Sequence, residues 1–96
     1  MNELQRLQAW YLLHCNGDWE HEFGVRIETL DNPGWSVEID LAKTGLEHKA
    51  FGDVKQNPED EVGWIHCKVE AEQFRGYSSA NNLAELLGIF LEWAEN

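Results

Sequence analysis

Apolar and polar residues alternate along much of the middle of this chain. From Gly17 to Leu41 the alternation reads as two amphipathic strands joined by a turn. Phe23, Val25 and Ile27 mark one side of the first strand, and Trp35, Val37, Ile39 and Leu41 one side of the second. Period-two spacing turns those residues to a core and leaves their neighbours on the opposite face. Between the strands lies Asp31-Asn32-Pro33-Gly34. Pro33 restricts one φ and Gly34 accepts a positive φ, which predicts a type II turn. Ile65, Cys67 and Val69 alternate again over residues 63–70, and Gln73 to Tyr77 returns as a last strand after a turn at Ala71-Glu72. A short strand is expected within Phe51 to Lys55, and residues 56–63 read as a polar, acidic loop.

Helical periodicity replaces alternation at both ends. Asn2 begins a helix to about Cys15, with Gln5 in the capping-box position. Leu4, Leu7, Tyr11 and His14 form its stripe, widened by Trp10 and Leu13. Asn82 and Glu85 predict a second capping box, opening a helix to about Ala94 with Leu83, Leu86, Leu87, Phe90 and Ala94 inward. Ile89, Leu91 and Trp93 lie off that stripe, so a homodimer through the C-terminal helix is an expectation. The fold class that follows is α+β: an antiparallel sheet of four to five strands, with the N- and C-terminal helices packed on one face. Ninety-six residues make a single domain, 1–96.

Charge narrows the classes of partner. Eighteen acids against seven Lys and Arg give a net charge of −11. Nucleic acids and anionic membranes are disfavoured, because their recognition rests on basic patches. A basic protein partner is favoured, with plain solubility as the alternative. The opening residues do not read as a secretion signal and no apolar run approaches a membrane span, so the expected location is cytoplasmic with Cys15 and Cys67 reduced.

Chemistry is harder to place than binding. His14-Cys15 and His66-Cys67 invite a zinc reading, yet the spacing matches no structural site, and adjacent strand residues point to opposite faces. Neither thiol has a base brought to it by sequence, and the many carboxylates look solvated. Asp18-Trp19-Glu20-His21 is the densest polar-aromatic cluster, with Trp19 as an anchor of the helix-to-strand junction. No Gly-rich phosphate loop is present, and neither a catalytic residue, a metal nor a cofactor is expected. A small hydrolase or thiol-based sulfur-handling enzyme, or an oligomeric ligand-binding scaffold, stands as the alternative to a binding module.

The expected partner surface is the solvent face of the sheet. It should present Glu28, Glu38, Asp40, Trp64, His66 and Glu70, with Glu59, Asp60 and Glu61 at its margin. An aromatic among charges is a usual interface composition. Trp64 has a second placement, folded over the sheet edge or under the acidic loop.

Three stretches carry a resemblance. The segments LQAWYLLHCNGDWEHEFGVRIETLDNPGW, WIHCKVE and FLEWAE, marked by Trp19-Glu20, Pro33-Gly34-Trp35 and the Trp64 strand, resemble the immunity protein 53 family over nearly the whole chain. The resemblance implies a cytosolic antidote of a bacterial polymorphic toxin system, binding and blocking a co-encoded toxin. It supplies no catalytic residues and does not imply which toxin is bound. A nuclease toxin with a cationic cleft would suit an acidic face.

Overall fold

The computed structural model describes residues 1–96. Its elements run α1 (Glu3–His14), α2 (Trp19–Glu22), β1 (Val25–Leu30), β2 (Gly34–Asp40), β3 (Val54–Gln56), β4 (Ile65–Glu70), β5 (Gln73–Ser78) and α3 (Leu83–Glu95). The five strands form one antiparallel sheet in the order β1-β2-β5-β4-β3. The expected α+β architecture is therefore the observed one.

Local rules account for the start of α1. The Asn2 side chain accepts from the Gln5 amide at 2.9 Å, and the Gln5 side chain accepts from the Asn2 amide at 3.1 Å. Two otherwise orphaned donors are satisfied reciprocally. The second expected box does not form. Asn82 makes no side-chain cap, and its Oδ1 accepts instead from the Ser79 hydroxyl.

The sheet turns Val37, Ile39, Ile65, Cys67 and Phe74 to the helices, all fully or almost fully buried. Leu86, Leu87, Phe90 and Leu91 of α3 and Leu7 of α1 complete the same cluster. Gly76 belongs to this layer because Leu86 packs where its side chain would be: a β-carbon there would stand 2.5 Å from Leu86 Cδ1.

The helix stripes differ from the periodic reading. Along α1 the inward residues are Leu7, Trp10 and His14, with Trp10 edge-on to Phe90 at 5.1 Å. Leu4 and Leu13 are exposed, at 59% and 79%. In α3, Leu91 is buried and Trp93 packs on Phe51 and Phe90 while donating to the Ala50 carbonyl at 2.8 Å. The irregular segment 41–53 supplies that cover, and Leu46 within it joins the core. The apolar breadth of α3 is thus used inside the chain. The argument for a homodimer through that helix, and for an oligomeric scaffold built on it, loses its basis.

One expected turn differs in detail and another forms where expected. Asn32–Pro33 is cis, and Gly34 lies inside β2 without a positive φ. Gly34 is needed for closeness rather than for left-handed backbone, since a β-carbon there would meet Ser78 O at 2.4 Å. Ala71 and Glu72 both have positive φ, 54° and 61°, the signature of a two-residue I′ hairpin turn.

Candidate partner-binding surface

The face of the sheet away from the helices is built in rows by the strand register. One row runs Glu28, Ser36, Tyr77, His66, Lys55. The next runs Arg26, Glu38, Arg75, Lys68, and the third Asp40, Gln73, Glu70. Five of the expected residues, Glu28, Glu38, Asp40, His66 and Glu70, therefore share one face.

Its charge is not what their selection implied. Four acids stand there beside four of the chain's seven Lys and Arg residues. The face is formally neutral, and the net charge of −11 is carried elsewhere on the molecule. This corrects the reading of an acidic sheet face. Arg26, Lys55, Lys68 and Arg75 are the balancing terms, and the alternation of Gln73, Arg75 and Tyr77 against Phe74, Gly76 and Ser78 in β5 carries the signal for Arg75.

Each acid has a distinct setting. Glu38 lies between Arg26 at 3.3 Å and Arg75 at 4.0 Å. Glu70 pairs with Lys68 at 2.9 Å, and this hydrogen-bonded contact holds the Glu70 carboxyl below its ordinary value and raises the Lys68 ammonium. Asp40 is structural: its carboxylate accepts from the Gly24 amide at 3.0 Å and from Gln73 Nε2 at 2.8 Å. Glu28 is exposed, opposite Ser36, and forms no ion pair within the chain.

Trp64, Glu59, Asp60 and Glu61 come together at one end of the sheet. They line an open cleft of about 760 Å³ with Pro33, Pro58 and Ala80. Trp64 is half-buried, so the placement beside the acidic loop is the one observed. Backbone and side-chain bonds shape the rim: Asp60 Oδ1 accepts from the Val62 amide at 3.1 Å, Asn57 Nδ2 donates to Gly63 O at 3.0 Å, and the Gly63 amide donates to Ser79 Oγ at 2.8 Å.

The opposite end carries a second acidic margin that the sequence reading did not assign to the face. Glu20, His21 and Glu22 border a cavity of about 260 Å³ with Arg26, Glu38 and Asp40. The Glu20 carboxyl is held low by backbone N–H groups, its own and those of Asn16 and Gly17. Trp19 is only 4% exposed and donates from Nε1 to Ala42 O at 2.9 Å. It is the anchor expected at that junction, though within a helical turn rather than a strand. The surface is thus a formally neutral sheet of mixed charge, bounded by acids at both ends.

The thiols have no such surface. Cys67 is fully buried, and burial pushes its thiol up to about 12. It is therefore protonated and inert at neutral pH. Cys15 Sγ donates to Tyr11 O at 3.3 Å. His66 and Cys67 do lie on opposite faces, and no group of three or more His, Cys, Asp or Glu side chains is disposed to hold a metal ion. No helix is long and apolar enough to cross a membrane.

Comparison with known proteins adds one result to this geometry. No curated protein and no solved structure matches the chain. The model of one family, described as Immunity protein 53, matches residues 4–95, and on that match the chain belongs to the immunity protein 53 family.

Proposed function

We propose that this protein neutralises a bacterial protein toxin by binding it, with the open sheet face and the Trp64 cleft as the contact surface. Family membership supports a toxin partner in general. The observation that carries the placement is the cleft, where a half-buried Trp stands beside three consecutive acids in a space of about 760 Å³. An aromatic anchor with a charged rim is the composition of an interface hot spot. Glu28, Glu38, Asp40, His66 and Glu70 extend the surface along the sheet, and Arg26, Arg75 and Lys68 join them. The contact is therefore not a purely acidic plug. The sheet face, neutral as a whole, provides register through charges of both signs, and the acidic ends provide the attraction for a basic partner. A nuclease domain with a cationic cleft fits that division of roles.

The test takes as its probe the C-terminal domain of the protein encoded by the neighbouring reading frame. Co-expression should suppress its activity, and the two chains should co-purify. Replacing Glu59, Asp60 and Glu61 together by Lys should slow association about tenfold at low salt, with the difference shrinking as salt rises. Trp64→Ala should instead speed dissociation, by about thirtyfold if the anchor contributes about 2 kcal/mol. Failure of the wild-type protein to bind the neighbouring toxin would remove the toxin assignment. Normal binding and normal stability in both variants would move the contact off this surface.

A further inference from the structure

The two edges of the sheet are unequal. The outer edge belongs to β3 on one side, only three residues long, and to β1 on the other, six residues of sequence VRIETL. Short strands and prolines are common protections of an edge, and β1 has neither. Its residues 26–29 are all exposed, Ile27 among them at 36%.

The hydrogen-bond pattern says which groups of β1 are free. The Asp40 amide donates to Gly24 O at 3.1 Å, so Gly24 and Asp40 form a hydrogen-bonded pair in the register that sets Val25 opposite Ile39. Antiparallel pairs alternate between bonded and non-bonded positions. Arg26 and Glu28 are therefore the residues turned to β2. Val25, Ile27 and Thr29 direct their N–H and C=O groups outward, with no strand beyond them.

We propose that this edge pairs with β1 of a second copy of the same chain, antiparallel about a two-fold axis through Ile27, joining two five-stranded sheets into one of ten strands. Self-pairing must use the outward residues as its bonded positions, which restricts the register. With Ile27 opposite its own copy, Val25 faces Thr29 of the second copy, and all three outward residues exchange backbone bonds. In the same register Arg26 stands opposite Glu28 of the second copy, and Glu28 opposite its Arg26. Sliding by one allowed step either way sets Arg26 against Arg26 or Glu28 against Glu28. Charge thus selects one alignment out of three.

The side chains suit that alignment. Glu28 has no ion pair within its own chain, and the Arg26 side chain is 68% exposed despite its contact with Glu38. Pairing continues the alternation already present in the row Glu38, Arg26 with a Glu28 from outside. On the helix side the two Ile27 side chains meet and cover apolar surface that α1 leaves open. A net charge of −11 on each copy opposes association over distance, so the dimer forms where salt shortens that repulsion.

Analytical ultracentrifugation of the whole protein at about 0.15 M salt tests this, with concentration raised to about 1 mM. A concentration-dependent dimer is expected. The amides of Val25, Ile27 and Thr29 should become protected from exchange as it forms, while those of Arg26 and Glu28 are protected throughout. Arg26→Glu and Glu28→Arg alone should each weaken the dimer about tenfold, because each turns two attractive cross-strand pairs repulsive. The double variant R26E/E28R should restore it to within about threefold. Glu28→Arg disturbs no ion pair of the monomer, so it remains informative if Arg26→Glu lowers stability. A protein still monomeric at the highest concentration, single reversals without effect, or a double variant that is not rescued would each overturn the proposal.

Discussion

Gly34 lies so close to Ser78 that a β-carbon on residue 34 would stand 2.4 Å from the Ser78 carbonyl oxygen. The obstacle is backbone in the adjoining strand, which cannot swing aside as a side chain would. Gly34→Ala should therefore destabilise the fold by about 1–3 kcal/mol, through displacement of β2 from β5. Gly52, with nothing within 4 Å and no positive φ, is the control. Gly52→Ala should be neutral or stabilising by up to about 1 kcal/mol. Urea denaturation of both variants checks the contrast, and equal midpoints would contradict it.

The two acids Glu28 and Asp40 share a face but not a role. Asp40 satisfies Gly24 N–H and Gln73 at the start of β1, so Asp40→Lys should cost about 1–3 kcal/mol. Glu28→Lys should stay within about 0.5 kcal/mol. Binding studies that reverse Asp40 would confuse lost fold with lost contact. Thermal unfolding beside each binding measurement separates the two.

Burial of Cys67 predicts both slow chemistry and a pH dependence. The thiol should resist alkylation at neutral pH in the folded protein and react at an ordinary rate in denaturant. Its folded value, about 12, lies above the ordinary 9.0. The folded state therefore holds the proton more tightly, so this contribution to stability is complete below about pH 9 and falls as pH rises toward 12. Cys67→Ala should lose stability overall and show a shallower alkaline decline than the wild type. Parallel declines in the two proteins would show that the thiol contributes nothing there.

Three tryptophans hold irregular connections by donating to alanine carbonyls: Trp19 to Ala42, Trp35 to Ala80 and Trp93 to Ala50. Trp19 is the most buried of these anchors, at 4% exposure. Trp19→Phe should cost about 1–3 kcal/mol, combining an unpaired carbonyl with lost packing. A calorimetric melting temperature unchanged from wild type would show that neither loss matters.

Exposure on α1 gives the opposite expectation for two leucines that a periodic reading treats alike. Leu7→Ala should cost about 2–5 kcal/mol, because Leu7 is 5% exposed within the core. Leu13→Gln should change stability by no more than about 0.5 kcal/mol, since Leu13 is 79% exposed. Chemical denaturation of the two variants decides whether the inward stripe runs through Leu7, Trp10 and His14.

Features legible in the chain alone span only a few residues around each position. The Asn2–Gln5 box, the alternation of Val37 with Glu38 and of Cys67 with His66, and the α+β order all follow from spacings of two to four residues, where side-chain direction is set by local backbone geometry. That was enough to place Glu28, Glu38, Asp40, His66 and Glu70 on one face. It was not enough to find their neighbours. Arg75 reaches Glu38 only because β5 inserts between β2 and β4, and Trp64 shares a cleft with Pro33 and Ala80 only where three separate connections converge. The partial cover of Trp93 likewise depended on a segment, 41–53, with no periodicity of its own. Charge balance, cleft and cover are sums over residues brought together by strand order and long-range packing. They emerge with the assembled sheet and its cover, because cross-strand neighbours are chosen by pairing register and not by distance along the chain.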